Sequence, residues 1–522
     1  MSQLKQLHQF AQNALNQRQY PQAQQALIQL LNQQPDFYDG YFLLGVIEAE
    51  FGQYTKAVSL MEKAVGLHPS AEYYAHLAKC YAMLGDTVKT HDAVAKAEQL
   101  PIKSALTLDT LGVALSRLNE HQKAVHYFTK AIALKEMAAF YYNLGSSQTF
   151  LGDFEDARIS YEKAIELEPL FHQAHSSLSH LGGISEQDNH VERLTEVYDK
   201  VNHPDAKLHI AHALSRELES LGQYDKCFYY LAQAKGYKQQ HIDYQFDRDL
   251  AVFEKLTSSF SNPDFARVDN PNDNDQAIFV TGMPRSGTTL VERVLTNSTG
   301  VKSAGELQDF GLALKRLSQT KSRFILDLET LSASEQINYL ALGQEYLRCV
   351  EPLVNKGQRF VDKTPLNVLY AGHIIKALPK VKILCVIRNP MDTIWGNYKQ
   401  MFSLNDPYYH YAFDQVSIAQ FYQQFVALAE FWQDLYPDNF KIVKYDEFVA
   451  EPALVGKQFV EFCQIKWDES LLDITNNKSA VATASSVQVR SAINSKSIGQ
   501  WRKLEEQLQG AYKVIQQAGL TV

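Results

Sequence analysis

The sequence predicts a multidomain protein, in which an all-α solenoid of paired helices precedes an α/β domain built on a parallel sheet. One observation is a period of about 34 residues in the first part of the chain. Another is an alternation of β-prone runs with helical patterns, which begins at Ala277. A third is a glycine-containing turn between a β-prone run and a helical pattern, over residues 278–292. At 522 residues, the chain has room for about two to four domains.

The period is marked by five similar segments, whose first residues lie 33 or 34 positions apart: Tyr20, Tyr54, Thr87, His121 and Phe154. Most of these segments carry a small residue at a fixed offset: Ala23, Ala57, Ala124 and Ala157. Leu-Gly pairs mark the preceding helices, and prolines close most units. This pattern resembles tetratricopeptide repeats, with a degenerate third unit. The resemblance implies a groove for a peptide or protein partner, although a structural or dimerising role stays equally open.

Composition changes along the chain indicate where the domains end. We expect the repeats to occupy residues 1–182, and an irregular helical connector with a possible further repeat to occupy residues 183–267. The polar, turn-rich segment 268–276 is a suitable boundary before the first strand. The α/β domain then covers residues 275–522, with predicted strands at 277–281, 359–363, 381–387 and 440–445. Because ligands bind at the carboxyl ends of parallel strands, the motifs that follow these strands are candidate site residues.

The turn after the first strand has the layout of a phosphate-binding loop. Gly282 and Gly287 have the spacing of a Walker A loop, but Thr288 stands where a nucleotide triphosphatase has its lysine. The nearest cation is Arg285, inside the loop. Free N–H groups at the start of the following helix attract an anion. Such a loop is poorly suited to a β/γ-phosphate with Mg²⁺, but it suits a single sulfated or phosphorylated group.

The segment Pro-Arg-Ser-Gly-Thr-Thr-Leu, residues 284–290, resembles the 5′-phosphosulfate loop of sulfotransferases that use 3′-phosphoadenosine 5′-phosphosulfate (PAPS). It is closest to the tyrosylprotein and bacterial members, so the chain as a whole looks like a bacterial tetratricopeptide-repeat sulfotransferase. The resemblance implies PAPS as the sulfuryl donor and no metal. It implies that the loop binds the donor through Pro284, Arg285, Ser286, Gly287, Thr288 and Thr289.

The same resemblance assigns catalytic roles to Glu306, Lys363 and Arg285. Glu306 follows Gly305 and would be the general base for the acceptor hydroxyl, a task that suits a carboxylate whose pKa burial has raised. Lys363 ends a predicted strand and would neutralise the charge that grows on the bridging oxygen.

Arg388 opens an Arg-Asn-Pro segment that resembles the 3′-phosphate segment of the family. The family usually places a serine eight residues later, where this chain has Gly396. Two alternatives stay open: Asn397 or a backbone N–H substitutes for that serine, or binding of the 3′-phosphate is weakened. Arg490 and Lys496 lie in a serine-rich segment, which in the family closes over the nucleotide, and both are candidates for contacting the 3′-phosphate.

Composition narrows the class of protein further. Residues 275–522 carry 26 Lys and Arg against 25 Asp and Glu. Residues 1–274 carry 24 Lys and Arg against 34 Asp and Glu, so the net charge of −9 comes from this first part of the chain. An acidic surface excludes nucleic acid as a partner of the repeats. No apolar run approaches the roughly 20 residues that span a bilayer, so no membrane association is expected. The cysteines are scattered without CxxC spacing, which favours a reducing cytoplasm: Cys80, Cys227, Cys349, Cys385 and Cys463.

Two other functions stay open at this point. One is a P-loop kinase or nucleotidase, although the strand before Arg388 lacks the aspartate of a Walker B site. The other is a repeat scaffold with an inactive sulfotransferase module, which Gly396 keeps open. The acceptor is not decodable, so a protein tyrosine, a glycan and a small alcohol all remain candidates, and so does any oligomeric state.

Overall fold

The computed structural model describes residues 3–322, 324–355, 357–404, 407–476 and 492–522. The chain forms two compact units, Met1–Leu221 and Gly222–Val522. The division between them falls inside the segment 183–267, and the three domain boundaries expected from the sequence stay predictions.

The first unit is made of helices arranged in consecutive pairs. Its helices are α1 (Gln3–Asn16), α2 (Tyr20–Gln33), α3 (Tyr38–Glu50), α4 (Tyr54–Leu67), α5 (Ala71–Met83), α6 (Thr87–Glu98), α7 (Ala105–Arg117), α8 (His121–Leu134), α9 (Ala138–Leu151), α10 (Phe154–Leu167), α11 (His172–His180), α12 (Val191–Lys200) and α13 (Pro204–Ser220). The five segments found from the period begin α2, α4, α6, α8 and α10 at the predicted residues.

Small residues allow the two helices of a pair to pack closely. The alanines of the repeat pattern are fully buried: Ala23, Ala57, Ala124 and Ala157. A Cβ atom on Gly112 of α7 would lie 2.5 Å from Cε1 of Phe128 on α8, so only glycine fits there. Polar bonds join positions 34 residues apart on successive first helices: the Tyr73 hydroxyl donates to Asp39 at 2.6 Å, and the Asn143 amide donates to Asp109 at 2.9 Å. The sequence period is therefore a spatial period.

The second unit is built on a five-stranded sheet. Its strands are β1 (Ala277–Gly282), β2 (Val301–Gly305), β3 (Arg359–Asp362), β4 (Lys382–Ile387) and β5 (Phe440–Lys444). Its helices are α14 (Tyr224–Gln239), α15 (Phe246–Phe260), α16 (Pro263–Ala266), α17 (Thr288–Thr296), α18 (Asp309–Ser318), α19 (Leu328–Ser334), α20 (Tyr339–Val350), α21 (Ala371–Ala377), α22 (Pro390–Tyr398), α23 (Gln415–Leu435), α24 (Tyr445–Ala450), α25 (Pro452–Phe462) and α26 (Gln509–Gln517). Short 3₁₀ helices cover Glu351–Leu353, Pro365–Tyr370, Pro407–Phe413, Glu469–Leu472, Ile474–Asn476 and Gln500–Leu504.

All neighbouring strands are parallel, in the order β2-β3-β1-β4-β5. The predicted fold class, a helical-repeat solenoid followed by a parallel α/β domain, is confirmed. Strand β2 was not predicted. Only its first residue, Val301, is buried, so it carries no apolar run that would mark it in the sequence.

The core lies on both faces of the central strand. Every residue of β1 is buried, and alternate side chains point to opposite faces of a strand. Ile278 and Val280 pack with apolar residues of α17, α24 and α25, whereas the Phe279 ring contacts the rings of Phe310 and Tyr346. β1 is thereby held rigidly, and its carboxyl end supports the loop that follows. Within the described part of the chain, no helix has the length and apolar character needed to cross a membrane.

Candidate active site

The loop after β1 is a tight turn that requires glycine at its end. Gly287 immediately precedes α17 with φ of 103°, and Arg285 also has a positive φ of 68°. A Cβ atom on Gly287 would lie 2.2 Å from Cδ2 of Tyr445, the residue that follows β5. The turn therefore packs against the Tyr445 ring, and any larger residue at position 287 would displace one of the two.

Next to the start of a helix, the loop contains a buried hydroxyl without a hydrogen-bond partner among the described residues. Ser286 is only 1% exposed, and its hydroxyl has no hydrogen-bond partner in the described structure. Thr288 and Thr289 form the buried first turn of α17, where backbone N–H groups have no partner within the helix. A buried hydroxyl without a partner beside a helix N-terminus suits an anion that accepts hydrogen bonds.

Arg388 follows β4 and reaches back to the loop. Its guanidinium donates to the backbone carbonyl of Arg285 at 3.3 Å and to the carbonyl of Ser497. It also lies 4.9 Å from the centre of the Tyr445 ring and 3.8 Å from a carboxylate oxygen of Asp392. The Arg388 Nε is buried without a partner in the described structure. A second unpaired donor therefore lies close to the loop.

Residues near the C-terminus close one side of this region. Asp392, on α22, accepts hydrogen bonds from the backbone N–H groups of Gly499 at 2.6 Å and Trp501 at 3.2 Å. The Ser497 hydroxyl lies 3.2 Å from that of Tyr445. Lys496 is exposed in the same segment, whereas Arg490 lies outside the described residues.

These groups surround a cavity of about 460 Å³. Five predicted site residues border it: Arg285, Gly287, Thr289, Arg388 and Lys496. Pro284, Ser286 and Thr288 are buried within the turn itself. Sequence analysis missed other bordering side chains: Leu290, Asp392, Trp395, Lys399, Tyr445, Ile474, Ile493, Asn494, Ser497 and Gln500. Trp395 and Lys399 had a usable signal, because they lie seven and eleven residues after Arg388 on nearly one face of a helix.

Glu306 and Lys363 pair with each other and do not border that cavity. The Lys363 side chain is 2% exposed, and its ammonium contacts a carboxylate oxygen of Glu306, whose side chain is 44% exposed. They follow β2 and β3, which are adjacent in the sheet. The pair combines a carboxylate open to an incoming acceptor with a cation held out of water, which is where developing negative charge is stabilised most strongly.

Two further carboxyl groups near this pair were not predicted. Asp362 is fully buried next to Lys363, and burial raises its pKa to about 7; it accepts hydrogen bonds from Tyr346 at 2.9 Å and Thr364 at 2.8 Å. Glu292, on α17, also has a raised pKa because it is buried. The sequence offered only one weak signal for Glu292, which is that a charged residue stands among apolar neighbours on α17.

The candidate substitute for the missing serine at position 396 has another task. The Asn397 side chain is fully buried, and its amide donates to the Pro284 carbonyl at 2.7 Å and the Thr393 carbonyl at 2.9 Å. Asn397 therefore holds the loop and does not border the cavity. A Cβ atom on Gly396 would lie 3.0 Å from that of Arg285, so this glycine makes room for the arginine.

The donor set favours an anionic ligand. The unpaired Ser286 hydroxyl, the N-terminus of α17 and the Arg388 guanidinium all suit negatively charged groups. Among the described residues, no group of three or more His, Cys, Asp or Glu side chains is arranged to hold a metal ion. The residues present thus fit a ligand that carries phosphate or sulfate groups.

Comparison with protein families agrees with this geometry. Residues 277–469 match the sulfotransferase family. Residues 8–87, 107–136 and 138–169 match tetratricopeptide repeats. Residues 88–106, which are outside the repeat matches, contain most of the segment whose repeat pattern is degenerate in the sequence.

Known proteins resemble parts of the chain. An uncharacterised protein of Aquifex aeolicus is 30% identical over 309 residues, covering 58% of this chain and 41% of the relative. A protein-tyrosine sulfotransferase of Drosophila melanogaster is 23% identical over 255 residues, covering 46% and 49%. The chain thus spans about half the length of the curated relatives it matches.

Two solved structures are similar to part of the chain. A thermophilic TPR protein of Thermus thermophilus has 17% identity and a TM-score of 0.32, covering 34% of this chain and 98% of its own. A tetratricopeptide repeat protein of Parabacteroides merdae has 12% identity and a TM-score of 0.33, covering 45% and 92%. From its sequence motifs, its sheet and its family matches, the chain joins tetratricopeptide repeats to a sulfotransferase-family domain.

Proposed function

We propose that this protein transfers a sulfuryl group from PAPS to an acceptor hydroxyl. The observation that carries the proposal is one cavity bordered both by a lysine-free phosphate loop and by Arg388. A 5′-phosphosulfate fits the loop, and a 3′-phosphate fits the guanidinium, which forms strong charge-assisted bonds with phosphates. The sulfotransferase-family match over residues 277–469 supports the same reaction class.

The residues of the chain divide the work between binding and chemistry. In the proposal, Arg285, Ser286, Gly287, Thr288 and Thr289 bind the phosphosulfate, and Pro284 shapes their turn. PAPS supplies the sulfuryl group and departs as adenosine 3′,5′-bisphosphate. The loop N–H groups stabilise charge that grows on the phosphate side of the breaking bond.

The acceptor is activated on the other side of the loop. Glu306 removes the proton of the acceptor hydroxyl, since its carboxylate is the partly exposed member of the pair. Lys363 remains positive and buried, and it neutralises the charge that grows on the bridging oxygen as the sulfur–oxygen bond of the donor breaks. A protein tyrosine is the first acceptor to test, because two relatives are protein-tyrosine sulfotransferases; a glycan hydroxyl is the second.

The remaining site candidates and the repeats complete the proposal. Arg490 and Lys496 contact the 3′-phosphate from the C-terminal segment. The repeats bind a peptide or protein through their groove, as tetratricopeptide repeats generally do. A cytoplasmic location, expected from the scattered cysteines, belongs to the same proposal.

Isothermal titration calorimetry of the full chain tests the donor. Adenosine 3′,5′-bisphosphate should bind the wild type, and Arg388→Ala should weaken it by roughly 10- to 100-fold, as expected for one charge-assisted phosphate contact. Adenosine 5′-monophosphate, which lacks the 3′-phosphate, should be insensitive to the same change. Lys441→Ala on β5 is the matched control, because it removes a partly buried cation that does not border the cavity.

The titration also decides between the competing functions. Preference for ADP with Mg²⁺ would replace the sulfotransferase with a kinase or nucleotidase. No binding of any nucleotide by the wild type would leave a repeat scaffold with an inactive module.

A further inference from the structure

A buried carboxylate on the helix of the phosphate loop contacts the strand that ends at the proposed general base. Glu292 lies on α17 and is 8% exposed. It accepts a hydrogen bond of 2.6 Å from the Ser303 hydroxyl, on β2. Burial raises the Glu292 pKa, with Lys363 acting to lower it and Glu306 to raise it, so the three groups are close enough to interact electrostatically. Glu292 is therefore coupled to the reactive pair without being part of it.

Ser303 passes this contact to the backbone that carries Glu306. The N–H of Gly305 donates to the Ser303 hydroxyl oxygen at 3.1 Å, and the Gly305 carbonyl accepts from the N–H of Lys363 at 2.9 Å. The strand register shifts between Ser303 and Gly305, and Gly305 has a left-handed φ of 81°. The N–H and the carbonyl of Gly305 are thus both hydrogen-bonded, and they hold the backbone in a left-handed conformation that regular strand pairing does not require.

The position of the Gly305 backbone decides where the carboxylate of the next residue lies. The Glu306 side chain is 44% exposed, so little packing restrains it, and its contact with Lys363 depends on the turn from which it projects. We propose that Glu292 is a positioning residue that acts through Ser303 to hold the Gly305 turn, and with it Glu306 against Lys363.

A purely packing role does not explain this arrangement. Burying a carboxylate is unfavourable unless it is hydrogen-bonded, and the neighbours Val291, Val294 and Leu295 on α17 are fully buried apolar residues. A leucine at position 292 would avoid that penalty. What the carboxylate supplies is an acceptor that orients the Ser303 hydroxyl, so that its lone pair faces the Gly305 N–H.

The catalytic part of this inference rests on the proposed function, and the experiment separates the two. Hydrogen exchange of the Gly305 amide is measured in the full chain for wild type, Ser303→Ala, Ser303→Thr, Glu292→Leu and Glu292→Gln. In parallel, kcat and the KM for PAPS are measured with labelled PAPS and N-acetyltyrosine amide or phenol as acceptor, because both hydroxyls are protonated at neutral pH and need a base. Ser318→Ala is the matched control, because its hydroxyl bonds a carbonyl of its own helix, α18.

We expect Ser303→Ala and Glu292→Leu to exchange roughly tenfold faster at Gly305, because each variant removes a link in the hydrogen-bonded chain. Both should lower kcat roughly tenfold or more with the KM for PAPS unchanged, a split that simple destabilisation does not produce. Ser303→Thr and Glu292→Gln keep the hydroxyl and the acceptor, so they should stay near the wild type, as should Ser318→Ala.

Unchanged exchange at Gly305 in both Ser303→Ala and Glu292→Leu overturns the inference, and so does an unchanged kcat in an active enzyme. If the wild type transfers nothing from PAPS to either acceptor, the proposed function is in question. The exchange measurement then decides alone whether Glu292 holds the turn, and faster exchange in both variants supports it.

Discussion

Replacing Gly287 with alanine should damage nucleotide binding through a contact that can be worked out from the structure. The added Cβ atom would lie 2.2 Å from Cδ2 and 2.4 Å from Cε2 of Tyr445, well inside van der Waals contact. The same ring lies 4.9 Å from the Arg388 guanidinium. Relief of the clash therefore has to move either the loop or the ring that supports the arginine.

The magnitude has two parts. A non-glycine residue in the left-handed region is destabilised by about 1–2 kcal/mol. Overpacking against a buried ring adds about 1–3 kcal/mol. The total is a loss of roughly 2–5 kcal/mol in the free energy of unfolding. In a unit of this size, each kcal/mol lowers the thermal midpoint by about 2–4 °C. Affinity for adenosine 3′,5′-bisphosphate should fall roughly tenfold or more, since each factor of ten is about 1.4 kcal/mol.

Gly300→Ala supplies the matched control. Gly300 has φ of 93°, close to the 103° of Gly287, but a Cβ atom there would meet nothing within 4 Å. Differential scanning calorimetry of both full-length variants therefore isolates the clash from the backbone strain, and titration with adenosine 3′,5′-bisphosphate reports on the site. Equal midpoints for the two variants, with binding intact in Gly287→Ala, would refute the reasoning.

A double variant identifies the clashing group. In a Tyr445→Ala background the ring is absent, so Gly287→Ala should destabilise the protein only as much as Gly300→Ala does. If the full effect of Gly287→Ala persists without the ring, the close approach to Tyr445 is not its cause.

Three further changes have defined outcomes. Asn397→Leu removes the donor that holds the Pro284 carbonyl, so binding of adenosine 3′,5′-bisphosphate should weaken several-fold in calorimetry. Gly396→Ser should weaken the same binding, because its Cβ would press on Arg285; tighter binding would show that the loop yields. Lys235 is fully buried, which lowers its pKa from 10.5 to about 7. The charged form is disfavoured in the fold, so stability should rise with pH between about 7 and 10.5, by roughly 4–5 kcal/mol at most. Lys235→Met should remove that rise in urea unfolding measured at pH 7 and pH 10.

Most elements of the fold could be predicted from the sequence. They are the elements in which a single structural requirement makes one type of residue recur. The second helices of the repeats were predicted because an alanine in a helix interface recurs with the period. Strands β1, β3, β4 and β5 were predicted because buried parallel strands read as apolar runs. Strand β2 escaped because only one of its residues, Val301, is buried, and its polar sequence gives no such run.

The site was predictable only where a motif was continuous in sequence. The loop residues and Arg388 were predicted from local motifs, and Arg285, Gly287, Thr289 and Arg388 border one cavity. Tyr445 was missed because its contact with Gly287 joins residues 158 positions apart, and a tyrosine after a strand has no distinguishing pattern. Glu292 was missed for a different reason, because its partner Ser303 lies on the strand that the sequence did not reveal.

Strand order assigns the candidate residues to two sides of the loop. β1 carries the loop and lies in the middle of the sheet, with β3 and β2 on one side and β4 and β5 on the other. Glu306 and Lys363 follow the strands of the first side, whereas Arg388 and Tyr445 follow those of the second. Because a parallel sheet places all these ends at one edge, the proposed function puts proton removal and nucleotide recognition on opposite halves of that edge. Substitutions on the first side should therefore lower kcat while the nucleotide affinity stays constant. Substitutions on the second side should lower the nucleotide affinity more than they lower kcat.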